Sequence, residues 1–459
     1  MTAGVTVEVL TAAQAEPAQR RAAGALLAAG LRSGDRVAFC LPSSAALLCA
    51  VLGALRIGVV PVLLNATLLD DERDVLVADA RPGLVVTDRD GLDALDAGLP
   101  ADLAPHPLAR PMHYTSGTTG RSKGVWSGVW SADEAAAAFA DEADLWSFGP
   151  DDVHLVCSPM YHSVSIRFAG GTLLRGGTCV VLSRFDGEVA RDALAGGHGP
   201  TPTTTFMAPV ALARLLATVE GTETRFGALR LLVHAGSPCP PSLKRSALAR
   251  VGPGALWEFY GSTEGQFTVC SPEEWVARPG TVGRARPGRV LAVDEDGTIW
   301  CRPPAFARFR YWGDDAKTRS AWRDGAFTVG DLGRLDADGY LFIDGRRDDL
   351  IISGGVNVYP AEVEAALAGV DGVAEIVVFG MDDDRWGQRV CAAVVPSATG
   401  SADEAARAAV LAALADHAAA HLAAYQRPKQ YTVVEALPRT ATGKVQRNLV
   451  AGLVAPPSA

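Results

Sequence analysis

Apolar and polar positions along the first half of the chain come in blocks that switch between helical and strand periods. Residues 16 to 29 form an Ala-rich stretch that predicts a helix, and "RVAFCLP" predicts a strand closed by Pro42. A helix over residues 44 to 56, a strand in "VVPVLL", a helix near 70 to 80 and a strand in "GLVVTD" follow. Such alternation predicts a parallel sheet covered by helices. The longest apolar run, "AALLCAVLGALRIGVVPVLL", is interrupted by Arg56 and Pro61, and predicts a buried helix and a buried strand rather than a membrane span. The passage "GLDALDAGLPADLAPHPLARP" reads as loop. Strands resume in "VHLVCSP", "TCVVLSRF" and "LRLLVHAG", and after residue 280 short strands with Gly, Pro and Asp turns take over.

The end of the chain reads as a separate small unit. It has a helix from Pro360, strands in "AEIVVFG" and "RVCAAVVP", an Ala-rich helix near 402 to 424 and a final strand in "YTVVEAL". At 459 residues the chain exceeds the size of a usual single core, so more than one domain is expected. The expected class is α/β: a large N-terminal domain (residues 1 to 347) of helix-covered mixed sheets with a β-rich subdomain, and a small α+β C-terminal domain (residues 348 to 459).

Charge and cysteine usage narrow the function. A formal charge of −10 without a basic stripe argues against a general nucleic-acid binder. The eight cysteines include no CxxC pair and read as reduced, mostly buried side chains of a cytoplasmic protein. The first residues, "MTAGVTVEVLTAAQAEPAQRRAAG", lack the apolar core of a secretory signal. His417 and His421 stand at i and i+4 in the Ala-rich helix, a spacing that suits a metal, but with no third ligand at a compelling spacing the shell stays incomplete.

One stretch carries chemistry on its face. "MHYTSGTTGRSKGV", residues 112 to 125, packs small residues and donors together. Gly117, Gly120 and Gly124 let the backbone turn its N–H groups inward, Thr115, Ser116, Thr118, Thr119 and Ser122 add hydroxyls, and Lys123 adds a mobile positive charge. That set suits a phosphate-rich anion. It is not a Walker A loop, because Lys123 follows Ser122 and precedes Gly124.

The order of the remaining motifs identifies a family. "YTSGTTGRSKG", "YGSTEG" at 260 to 265, "VGDLGRLDADGYLFIDGRRDDLIISGG" at 329 to 355 and "LPRTATGKVQR" at 437 to 447 resemble, in that order, the adenylate-forming superfamily. "SPMYHSVSIRFAGG", "VHAGSPCPPSLKR" and "SGGVNVYPAEVE" resemble its acyl-CoA ligase branch. The resemblance implies an acid–CoA ligase that uses ATP, Mg²⁺ and coenzyme A. Carboxylic acid and ATP give acyl-AMP and pyrophosphate, and the acyl group then passes to a thiol.

By the same resemblance, Thr115, Ser116, Gly117, Thr118, Thr119, Gly120 and Lys123 bind ATP phosphates. Gly236, Ser237, Pro238, Tyr260, Gly261 and Ser262 bind the nucleotide, with Tyr260 stacked on adenine. Thr263 donates to the α-phosphate or the attacking carboxylate, and Glu264, with Thr118, holds the metal. Asp331 and Arg346 take the ribose, and Lys444 neutralises charge in the transition state. Asp348 is the hinge of a mobile C-terminal domain, Ser353, Gly354 and Gly355 line the pantetheine tunnel, and His162, Met207 and Ala208 wall the acyl pocket.

The pattern departs from the family at Ser122, where proline is common, and the chain starts close to its first helix. Three alternatives stay open: delivery of the acyl group to a carrier protein, thioesterification of a pre-formed acyl-AMP only, and a non-catalytic nucleotide-binding regulator. A homodimer is equally open.

Overall fold

The computed structural model describes residues 4–115, 123–397, 400, 403–439 and 445–454. The chain divides into two compact units, one of residues 1–291, 301–327 and 337–341, the other of residues 292–300, 328–336 and 342–459.

In the first unit, helix Ala45–Arg56 shows how local signals set an element. Ser44 caps it by accepting from the Leu47 amide at 3.1 Å, and Leu47 through Arg56 are all buried. Each Leu or Val buried there contributes about 1.5–3 kcal/mol. The charge that interrupts the apolar run is satisfied: the Arg56 guanidinium donates to Ala104 O at 2.7 Å and Gln19 Oε1 at 2.9 Å, and pairs with Glu16. Strand Val60–Leu63 follows and pairs parallel with Arg36–Phe39, which pairs parallel with Leu84–Val86.

A six-stranded sheet lies beside this one in the same unit. Its order is Val7–Thr11, Thr178–Leu182, Val153–Val156, Thr204–Met207, Leu231–His234, Leu256–Glu258. All neighbours are parallel except Val7–Thr11, which runs antiparallel on the edge. A third, antiparallel sheet joins Arg310–Tyr311, Lys123–Trp126 and His113–Thr115.

Two elements differ from the sequence expectation. Part of the passage read as loop is helix Arg89–Asp96, capped by Asp88 to the Gly91 amide at 2.9 Å. Its Asp and Gly content suggested turns, but Leu92 and Leu95 sit three apart and are both buried. The strand Val7–Thr11 precedes the first helix, where the short polar-apolar alternation was too brief to read.

The second unit is built on a long hairpin, Val373–Asp383 with Gly387–Pro396. Ile351–Ser353 and Val356–Val358 extend it on one side, and Gln430–Val433 adds a parallel strand beside Gly387–Pro396. Helices Pro360–Leu367 and Glu404–His421 cover the sheet through Val363, Leu367, Val410 and Leu414, packed on Val358, Val378 and Val394.

Candidate active site

In open parallel sheets ligands bind beyond the carboxyl ends of the strands, because helix and loop starts converge there. In the first unit that edge carries Pro159–His162 after Val153–Val156, Ala208 after Thr204–Met207, Gly236–Pro238 after Leu231–His234, and Tyr260–Glu264 after Leu256–Glu258. Gly236 has φ +95°, a left-handed turn that a side chain would strain.

The Tyr260–Glu264 turn is closed on itself. Ser262 N donates to Gly265 O at 2.8 Å, Phe267 N donates to Tyr260 O at 2.9 Å, and Glu264 N donates to Ser262 Oγ at 3.2 Å. Gly261 needs its missing Cβ, which would lie 2.8 Å from Gly265 O. The Tyr260 ring packs 4.8 Å from that of Phe267. This closure buries the Glu264 side chain, whose Oε1 accepts from the Tyr311 hydroxyl at 3.0 Å. Burial and the adjacent Glu264 carboxylate raise the Tyr311 phenol well above its ordinary value, so it stays a donor.

Lys123 shares this site. Its Nζ lies 5.7 Å from the Tyr311 ring centroid, and it is held by the pairing of Lys123 with Thr115 across the hairpin. Burial and then Lys317 depress the Lys123 ammonium, while Asp314 and Glu264 oppose the shift. Thr115 and Lys123 are thus brought to Glu264. The predicted residues Ser116, Gly117, Thr118, Thr119 and Gly120 lie outside the described residues. The second oxygen of Glu264 accepts no hydrogen bond among the described residues. A hard carboxylate on a largely buried residue, near the Lys123 ammonium, fits a divalent cation that completes its shell with phosphate oxygens and water.

Beside the turn is a cavity of about 130 Å³, with Ser262 and Thr263 on its wall. Leu52, Leu55, Ile166, Trp130, Phe139 and Phe306 make its apolar lining, and Gly170 and Gly171 leave room in the helix Ser163–Leu174. His162, Met207 and Ala208 are not among its lining residues: the His162 ring packs 4.6 Å from Tyr161, Met207 is fully buried in its strand, and Ala208 caps helix Pro209–Ala217.

The same cavity holds charges that sequence reasoning missed. Arg110, Arg167, Arg289, Asp141 and Glu142 line it. Asp141 accepts from Arg286 Nη2 and Arg289 Nη2, each at 2.8 Å, and Glu142 accepts from Arg286 Nη2 at 3.1 Å and Arg167 Nε at 3.3 Å. Burial pushes the Glu142 carboxyl up, but Arg167, Arg286 and the Trp146 and Gln266 hydrogen bonds outweigh it and bring it down to about 2. Arg110 makes no hydrogen bond among the described residues; its guanidinium lies 5.7 Å from the Trp130 ring centroid. Burial, then Arg167 and Arg289, pushes it down to about 10, still charged at neutral pH.

In the second unit, Asp331 opens the strand Asp331–Leu335 and is buried, and Arg346 Nε donates to its Oδ1 at 3.1 Å. Asp348 is exposed in the single turn Arg347–Asp349. The following Asp349 is tied by Arg447 at 3.0 Å, which also reaches Glu364 at 2.6 Å. Ser353 pairs with Val356, so Gly354 and Gly355 form a two-residue hairpin at φ +60° and +78°, the left-handed geometry glycine favours. Lys444 lies outside the described residues. The rings of His417 and His421 stack at 4.0 Å, and one nitrogen of each is spent on a backbone carbonyl. Among the described residues no helix is long and apolar enough to cross a membrane.

The model of the AMP-binding enzymes matches residues 5–112 and 100–308, and that of their C-terminal domain matches residues 362–444. A long-chain-fatty-acid–CoA ligase of Mycobacterium tuberculosis is 29% identical over 96% of this chain and 92% of its own. A 2-succinylbenzoate–CoA ligase of Bacillus licheniformis is 30% identical over 94% and 92%. Among solved structures, o-succinylbenzoate CoA synthetase from Bacillus subtilis with the acyl-adenylate OSB-AMP superposes at TM-score 0.82, with 27% identity over 95% of this chain and 92% of that one. The same synthetase with ATP and magnesium ion gives 0.79, again at 27%, over 95% and 93%. With both models matched in chain order and relatives aligned over nearly its whole length, this chain belongs to the AMP-binding enzyme family.

Proposed function

We propose that the chain is an acid–CoA ligase. A carboxylate oxygen attacks the α-phosphorus of ATP and pyrophosphate leaves. The CoA thiol then attacks the acyl carbon, losing its proton, and AMP leaves. The observation that carries this reading is the closed turn Tyr260–Glu264 at the carboxyl ends of parallel strands, with buried Glu264 beside Lys123 and Thr263 on the wall of a cavity.

In this reading Lys123 and the loop from Thr115 to Gly120 hold the phosphates, while Tyr260 and the Gly236–Pro238 turn cradle the adenine. Thr263 orients the attacking carboxylate against the α-phosphate. Glu264, with Thr118, holds Mg²⁺, which when bound neutralises charge on the phosphate oxygens. Asp331, oriented by Arg346, accepts from the ribose hydroxyls. Lys444 supplies positive charge as the pentavalent transition state forms. Residues 348 to 459 then turn about Asp348, and Ser353, Gly354 and Gly355 line the path of the thiol.

The test is acid-dependent exchange of labelled pyrophosphate into ATP, followed by thioester formation with free CoA and no partner protein. Exchange and free-CoA turnover are both expected; turnover only with a carrier protein would replace CoA as acceptor. Lys444→Ala is expected to cut exchange steeply while sparing thioesterification of supplied acyl-AMP. Equal loss in both steps would remove the role given to Lys444.

A further inference from the structure

The cavity beside Thr263 is apolar over most of its wall, yet it is set among more cations than anions. Arg110, Arg167, Arg286 and Arg289 are grouped with only Asp141 and Glu142. Both carboxylates are already committed, Asp141 to Arg286 and Arg289, Glu142 to Arg167 and Arg286. Two guanidinium charges therefore lack a counter-charge among the described residues. The Arg286 and Arg289 side chains are buried, and an excess of one sign around them is costly unless paired, so the half-buried Arg110 beside them leaves a cavity that gains when an anion enters.

The donors are placed for one. Arg110 has no hydrogen-bonded carboxylate among the described residues, and its guanidinium lies over the Trp130 ring, both residues lining the cavity. The Arg289 side chain is 4% exposed, and among the described residues neither its Nε nor Arg167 Nη2 has a partner. The carboxylate that is activated cannot be what this charge serves throughout, because it becomes a neutral acyl group once joined to AMP. A group that keeps its charge through both half-reactions is needed. Size adds a second limit. At about 130 Å³ the cavity is close to one that takes a single benzene ring, which suits a compact acid.

We propose that the acyl cavity selects a compact dicarboxylic acid, whose remote carboxylate pairs with Arg110 while its other carboxylate is adenylated at Thr263. This rests on the ligase reading above, and deepens it by naming the class of acid.

The experiment uses pairs of acids matched in shape, one member carrying the second carboxylate: terephthalate with p-toluate, isophthalate with m-toluate, glutarate with valerate, adipate with hexanoate. Pyrophosphate exchange and calorimetric binding are read for each pair. The expected result is a kcat/KM for at least one dicarboxylate that exceeds its partner's by about tenfold or more, the worth of a charge-assisted hydrogen bond. Arg110→Met lowers that ratio by a similar factor, Arg110→Lys restores part of it, and Arg214→Gln, which stacks on Phe185 away from the cavity, does not move it.

Preference for the monocarboxylate in every pair, or a ratio unmoved by Arg110→Met, overturns the inference and leaves the ligase reading intact. Calorimetric binding of a dicarboxylate that Arg110→Met abolishes, without exchange for any acid, upholds the inference and removes the ligase reading. Neither exchange nor binding for any acid overturns both.

Discussion

Lys244 and Glu258 form a buried pair of one cation and one anion, whereas the cluster at the cavity sets four guanidiniums against two carboxylates. Both groups lie in the first unit. The Lys244 side chain is 1% exposed, with Nζ on Glu258 Oε2 and 4.9 Å from the Trp275 ring centroid. Every charge there is answered within the fold, so the pair fastens helix Pro241–Arg250 to strand Leu256–Glu258 and asks for nothing more. The cavity cluster is answered only in part. The difference separates buried charge that serves the fold from buried charge held for a ligand.

The contrast breaks most visibly when a partner is removed. Lys244→Met strands the Glu258 carboxylate and is expected to cost about 3–5 kcal/mol in urea unfolding, while the double variant Lys244→Met with Glu258→Leu recovers most of the loss. Failure of the double variant to recover would show that the pair contributes more than mutual compensation. Next in size, a dicarboxylate at a hundred times its dissociation constant is expected to stabilise the protein by about 2.7 kcal/mol, read as a rise in Tm, and to do nothing in Arg110→Met.

Acid sharpens the comparison further, because the two regions titrate in different windows. Burial, with Lys244 nearby, holds His234 down to about 3 from 6.5. The unfolded chain takes up that proton first, so this contribution is complete above pH 6.5 and declines as pH falls toward 3. Between pH 7.5 and 5.5 it amounts to about 1 kcal/mol, which His234→Asn should abolish in denaturant midpoints. Glu142, held at about 2 against an ordinary 4.5, keeps its contribution above pH 4.5 and loses it only as pH falls toward 2. Glu142→Gln should therefore flatten the profile in that lower window alone. The smallest effect is expected from Arg110→Met, which removes a half-buried cation with no hydrogen-bonded carboxylate among the described residues and should raise stability, by less than about 1 kcal/mol. A loss as large as that of Lys244→Met would erase the distinction between the two regions.

How much of this the sequence discloses depends on distance along the chain. The turn Tyr260–Glu264 is legible because its residues are contiguous and their order carries the geometry. So is the helix Ala45–Arg56 with the strand after it, since burial there is continuous. The guanidinium cluster is not. Arg110 precedes the hairpin of Thr115 and Lys123, Asp141 and Glu142 belong to or adjoin the helix Ala132–Ala143, Arg167 sits in the next helix, and Arg286 and Arg289 come from a later loop. No period links such positions, and each reads alone as a solvated surface charge. The one available signal was Arg167 inside the apolar run "SVSIRFAGG", where a charge needs a reason.

The edge strand Val7–Thr11 has a consequence for handling the protein. It covers one side of Thr178–Leu182, a run of Thr-Cys-Val-Val-Leu that is otherwise an uncapped template of backbone donors and acceptors. A chain trimmed up to Ala12 would leave that template open, and such an edge recruits strands from other molecules. Trimming a few disposable-looking residues would then promote self-association.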